Sequence, residues 1–326
     1  MVTRRRFLVA VLAVTAVFGV VLFGKWRDAS NRGGQLPAEP FRIAGNLYYV
    51  GANDVTSFLL TGPEGHVLID GGYPGTAPMI MASIAKLGFK ITDVKVLLNS
   101  HAHLDHAGGL AELQKASGAA LWVSEGDADI VAAGGAGDPT LGPFRVLSYV
   151  PFLRYPAPRV DHRFRDGAKI RVGPTELTAH VTPGHTPGCT TWSFPVRDGD
   201  RELRVVHICS LTLPLALSVG EYPEIRAEFE SSFRTLRSLP VDIWVTSHAR
   251  EFGRYRKFRE RDTAKDPADP FIDRDGYVRY IDSAEMRFRK LVAEKPPLSS
   301  FPSHEVVTLE ETNGIGRFRP FLAPQH

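Results

Sequence analysis

Apolar and polar positions follow two periods along this chain. Short apolar runs, bounded by glycine, proline or aspartate, recur near residues 47–70, 94–99, 119–123, 169–182, 190–195, 203–208 and 241–247. Runs of that length and setting read as strands. Between them the helical period appears near 77–88, 108–117, 225–239 and 277–293. In the third of these, Ile225, Phe229, Phe233 and Leu236 share one face, and in the fourth Tyr277, Ile281, Ala284, Phe288 and Leu291 do. Both stripes predict helices that press an apolar face on a sheet. The interleaving of the two periods predicts an α/β fold.

The N-terminus follows neither period. Thr3-Arg-Arg-Arg is followed by uncharged residues from Phe7 to Gly24. Residues 1–28 therefore read as an export signal or an N-terminal membrane anchor, and they resemble a twin-arginine signal. No clean small-residue cleavage site follows, so export to the periplasm and a tether to the inner membrane both stand as expectations. Residues 29–40 read as a linker and 295–326 as a proline-rich C-terminal extension.

Composition adds bounds. The chain has 326 residues, 43% of them hydrophobic and 23% charged, with 39 basic against 36 acidic side chains and a net charge of +3. That balance gives no broad basic face, so nucleic acid is not expected as a partner. The run from Arg250 to Arg261 mixes signs and reads as a solvated loop or helix face. A lesser reading places one of its cations at the rim of a pocket for an anionic substrate. Two cysteines, Cys189 and Cys209, make no disulfide framework, and only geometry decides whether they pair.

The chemistry concentrates in Asn99-Ser-His-Ala-His-Leu-Asp-His-Ala-Gly-Gly109, which follows the apolar run Val94–Leu98. Residues two apart in an extended segment point to one side, so His101 and His103 can grip one ion. Asp105 and His106 lie past the turn and reach a second position. Imidazole and carboxylate donors suit zinc, with iron or manganese as alternatives. His185, between two Pro-Gly turns, and His248, at the end of Val241-Asp-Ile-Trp-Val-Thr-Ser, supply the remaining donors. The six divide into His101, His103 and His185 for one ion and Asp105, His106 and His248 for another, each set leaving a position open. Asp70, beside two glycines, is the candidate partner for a ligating imidazole, or a turn-capping aspartate. His66, His162, His180, His207, His304 and His326 lack paired spacing and read as structural or exposed.

These motifs resemble the metallo-β-lactamase superfamily, and within it the third subclass of class B β-lactamases. The resemblance covers roughly residues 41–294. It rests on the two metal motifs, on Asn46–Gly51, Ser57–Thr61 and Val67–Gly72, and on Asp269–Tyr277. It implies a four-layer αββα sandwich in one catalytic domain and two zinc ions. The implied reaction is opening of a β-lactam amide, a small-molecule substrate, by a metal-activated hydroxide. Asp105 would orient the nucleophile or shuttle its proton, and Ser210 and Thr212 would bind the substrate carboxylate. Thr212 departs mildly from the usual Ser, and Pro214-Leu-Ala-Leu departs from the commoner Pro-Gly-Tyr. Many other hydrolases of the fold carry a metal-bridging aspartate where this chain has Cys209, which is either a buried apolar group or a sulfur ligand. Two alternatives remain: a lactonase or glyoxalase II-like ester or thioester hydrolase, and a non-catalytic, membrane-tethered metal-binding protein.

Overall fold

The computed structural model describes residues 34–219 and 224–294. The expected export segment and the C-terminal extension, with His304 and His326, lie outside the described residues. Among the described residues no helix is long and apolar enough to cross a membrane.

Two sheets carry the molecule. The first is seven-stranded and follows chain order: β1 (Phe41–Ala44), β2 (Leu47–Tyr49), β3 (Phe58–Leu60), β4 (His66–Ile69), β5 (Val94–Leu98), β6 (Ala120–Ser124) and β7 (His162–Phe164). It begins as an antiparallel meander and turns parallel from β4 onward. The parallel crossovers are helical, as such connections require. They are α1 (Ala77–Lys86), then the short α2 (Leu104–Ala107) with α3 (Leu110–Ser117), then α4 (Glu125–Ala132). The second sheet is five-stranded. It takes β8 (Lys169–Val172), β9 (Thr175–Val181), β10 (Thr190–Asp198), β11 (Arg201–Ile208) and β12 (Ile243–Thr246) in the order β12-β11-β10-β9-β8. Its connections include α5 (Leu215–Val219) and α6 (Ile225–Ser238), and α7 (Arg254–Arg261) and α8 (Arg274–Glu294) follow it.

The sheets pack face to face. Phe58, Ile69 and Leu98 of the first share one buried cluster with Trp192, Phe194 and Val205 of the second. On the outer face of the first sheet, Leu59, Leu68 and Leu97 pack with Ile80 and Ile84 of α1 and Leu110 and Leu113 of α3. On the outer side of the second, the predicted stripes of α6 and α8 are buried apart from the half-buried Leu291, with Phe229 and Phe288 at 5.4 Å between ring centroids. The expected four-layer αββα order is therefore present.

One expectation is corrected. The Arg250–Arg261 run is not a plain solvated face. Arg254 is buried over the Tyr49 ring at 4.4 Å, and Lys257 is fully buried with Nζ 3.0 Å from Asp273 Oδ2. Long basic side chains bury their stems where an aromatic face or a carboxylate receives the charge.

Candidate metal centre

The site lies where strands of both sheets end together. His101 and His103 follow β5, Asp105 and His106 lie in α2, His185 lies between β9 and β10, and His248 follows β12. Glycines allow the close approach this needs. A Cβ on Gly109 would lie 2.2 Å from Gly71 O, and one on Gly108 would lie 2.3 Å from Pro74 Cδ. Asp70, after β4, has φ of 63°, the left-handed region that a side chain enters at a cost. It is held there by accepting from Ser100 N at 2.7 Å and Ser100 Oγ at 2.6 Å.

Each ring is oriented by what its second nitrogen touches. Ser100 Oγ, already donating to Asp70, accepts from His101 Nδ1 at 3.0 Å. His103 Nε2 lies 3.0 Å from Asp138 Oδ2. His185 Nδ1 donates to Thr212 O at 2.8 Å. His248 Nδ1 donates to Asp54 Oδ2 at 3.2 Å. These partners fix tautomers that leave His101 Nε2, His103 Nδ1, His185 Nε2 and His248 Nε2 as lone-pair donors. The ligand atoms of His101, His103 and His185 lie within 4.8 Å of one another, as do those of His101, Asp105 and His106. Asp105 Oδ2 is 3.2 Å from His106 Nε2 and 3.6 Å from His248 Nε2.

The electrostatics agree with ligation at His101, His185 and Asp105, whereas neighbouring carboxylates outweigh burial at His103, raised by Asp138, and at His106, pushed up to about 10 by Asp105 and Asp70. Burial and the neighbouring imidazoles hold His101 well below its ordinary pKa and push His185 down to about 3, so both are neutral. Burial would raise Asp105, but His106 and His248 override it and keep the carboxylate ionised. His106 is the anomaly. Both ring nitrogens are buried without an aligned hydrogen-bond partner, although Asp70 Oδ2 is 3.3 Å away and Asp105 Oδ2 3.2 Å. A buried polar atom left this way is costly, and a metal ion would satisfy it. Five imidazoles and one carboxylate, four of the imidazoles with the second nitrogen committed elsewhere, fit a divalent metal such as zinc.

The chain matches the model of the metallo-β-lactamase superfamily over residues 50–248. It belongs to that superfamily. Among solved members, the Rm3 metallo-β-lactamase is 39% identical, with 81% of this chain and 97% of that one covered at a TM-score of 0.73. The native FEZ-1 metallo-β-lactamase from Legionella gormanii is 37% identical, with 80% and 97% covered at 0.73. A hydroxyacylglutathione hydrolase from Jannaschia sp. is 28% identical over 195 residues, which are 60% of this chain and 61% of that protein. The chain thus spans about six tenths of the length of that curated relative.

Within this superfamily fold all six expected ligands converge on one centre. Asp70 takes the first of its two expected roles, facing His106 Nδ1 at 3.3 Å, and its carboxylate accepts from Ser100 across loops and not from its own turn. Ser210 is buried beside the centre, its Oγ accepting from Thr212 N at 3.2 Å. Thr212 exposes its side chain and lends its carbonyl to His185. The sulfur-ligand expectation is overturned. Cys189 and Cys209 form a disulfide, so Cys209 has no thiolate to offer, although its Sγ lies 3.7 Å from His101 Nδ1. Sequence reasoning missed Asp54 and Asp138, lone carboxylates in loops. The one hint was Asp138-Pro-Thr140, an Asx-turn signature in which Asp138 does accept from Thr140 N at 2.8 Å.

Proposed function

We propose that the protein is a dinuclear zinc β-lactamase of the third class B type, opening the β-lactam amide by hydrolysis. Among the hydrolases of this fold, one observation carries the choice. At the end of β11, where lactonases and glyoxalase II-like enzymes place a metal-bridging aspartate, Cys209 is sealed in a disulfide. The likeness to Rm3 and FEZ-1 over most of the chain supports the same reading.

His101, His103 and His185 would hold one ion and Asp105, His106 and His248 the other. Zinc in such sites supplies Lewis acidity and brings the pKa of water toward neutrality. The protein's own groups do the positioning. Asp105 is ionised and uses Oδ2 toward His106 and His248, which leaves its other oxygen to orient a nucleophile or take its proton. Ser210 and Thr212, the latter bonded to His185 through its carbonyl, are assigned to the substrate carboxylate. A largely apolar cavity of about 400 Å³ opens beside His103 and Asp105, with Leu141, Phe144, Leu147 and Tyr155 in its wall, and suits the side chain of a small amide substrate.

The rival is an ester or thioester hydrolase, which the likeness to hydroxyacylglutathione hydrolases favours. Purified protein should hydrolyse a carbapenem and a cephalosporin, and lose that activity to a chelator and regain it with zinc. Hydrolysis confined to an acyl-homoserine lactone or an acyl-glutathione thioester would reject the lactamase assignment.

A further inference from the structure

Asp127 is buried in the first turn of α4 and belongs to neither triad. All its partners are distant in sequence. Oδ2 accepts from Ala102 N at 2.9 Å and from Thr186 Oγ1 at 2.7 Å, and Oδ1 accepts from Gly188 N at 2.7 Å. Ala102 stands between His101 and His103, and Thr186 follows His185. The first loop hangs from the seven-stranded sheet and the second from the five-stranded one. One carboxylate therefore joins the two halves of the three-histidine site.

The surrounding contacts are equally close. Ser124 Oγ donates to Gly188 O at 2.6 Å. A Cβ on Gly188 would lie 2.4 Å from Asp127 N, and one on Gly126 would lie 2.6 Å from Pro187 O. Every partner of the Asp127 side chain is a donor, so the arrangement needs a carboxylate with no proton on either oxygen. Burial raises its pKa to about 6, which leaves it ionised at neutral pH.

We propose that Asp127 is a positioning residue that sets His185 in register with His101 and His103, and that it acts on the three-histidine site alone. The other triad spans the sheets through separate ties. Asp54 holds His248, and Thr56 bonds Thr246 O through Oγ1 at 2.9 Å and Ser247 O through its N–H at 3.1 Å. The inference rests on the assigned ligands, not on the β-lactam substrate, and it stands whichever substrate the hydrolysis panel finds.

The test isolates each site in the full chain. Zinc affinity is measured against a competing chelator in H248A with and without D127A, and in H185A with and without D127A. Asp127→Ala should weaken binding about 10- to 100-fold in the H248A background, the loss usual for removing a ligand's support. In the H185A background it should change binding by less than about twofold. In cobalt-loaded H248A it should also change the visible absorption of the three-histidine site. Equal loss in both backgrounds, or no loss in either, overturns the proposal. If D127A fails to fold, Thr186→Val, which removes one donor, should show the same asymmetry at smaller size, and symmetry there overturns it equally.

Discussion

His248 is half of a pair. Its Nδ1 faces Asp54, which also binds Arg250 through the Arg250 N–H and side chain. Burial would raise the Asp54 pKa, but the His248 hydrogen bond and Arg250 hold it below the ordinary carboxylate range. Replacing Asp54 by Ala frees the ring to rotate and to take the wrong tautomer. Zinc affinity at Asp105, His106 and His248 should fall about 10- to 100-fold, with the three-histidine site unchanged, in a zinc titration against a competing chelator. The candidate ligands were legible because metal binding demands rare residue types at fixed spacing, as in His101-Ala-His-Leu-Asp-His106. Asp54 was not. It sits 194 positions from His248, and nothing in Asn53-Asp-Val55 separates it from any turn aspartate. A residue that acts through another carries its meaning in the tertiary contact.

At the scale of elements, the helix stripes and most strands were legible from period alone, and the disulfide was not. It depends on the register of a hairpin. The turn between β10 and β11, with Gly199 at φ of 61°, pairs Trp192 with His207 and so brings the far ends of both strands together at Cys189 and Cys209. Asp198 pairs with Arg201, so Gly199-Asp200 is the two-residue loop, and that Gly-Asp hairpin signal, used to set register, would have predicted the proximity. The bridge closes a segment with a separation of 20 residues. Its removal in C189S/C209S should cost roughly 2–4 kcal/mol and lower the midpoint of thermal unfolding. Bound zinc per chain should stay the same in that variant, because neither sulfur is a ligand. A drop in zinc content with unchanged stability would instead make Cys209 part of the metal site.

Across the whole molecule the layers were legible in the alternation of strand and helix patterns, while the polar ties between layers were not. Asp242 is one such tie. Its buried carboxylate accepts from Arg204 N and Nε on β11, both at 2.8 Å, and from Arg274 Nε on α8 at 2.9 Å. It thereby joins a sheet to its outer helix layer. The Arg204 bond, foremost, holds its pKa well below the ordinary carboxylate range, against burial. The sign follows from linkage. A group more acidic in the folded state contributes stability at every pH above its unfolded value near ~4, and loses it as pH falls from there toward the lower folded value. Both arginines are about half exposed or more, so solvent screens part of the effect. Asp242→Asn should therefore destabilise the protein by about 2 kcal/mol at neutral pH, the scale of a charged hydrogen-bond network. Thermal unfolding followed from pH 7 downward should show the two proteins converging progressively below about pH 4, where the unfolded wild-type carboxylate takes up its proton before the folded one does and the advantage fades. A gap of constant size across that range would mean that Asp242 holds the layers by shape, and that its charge contributes nothing.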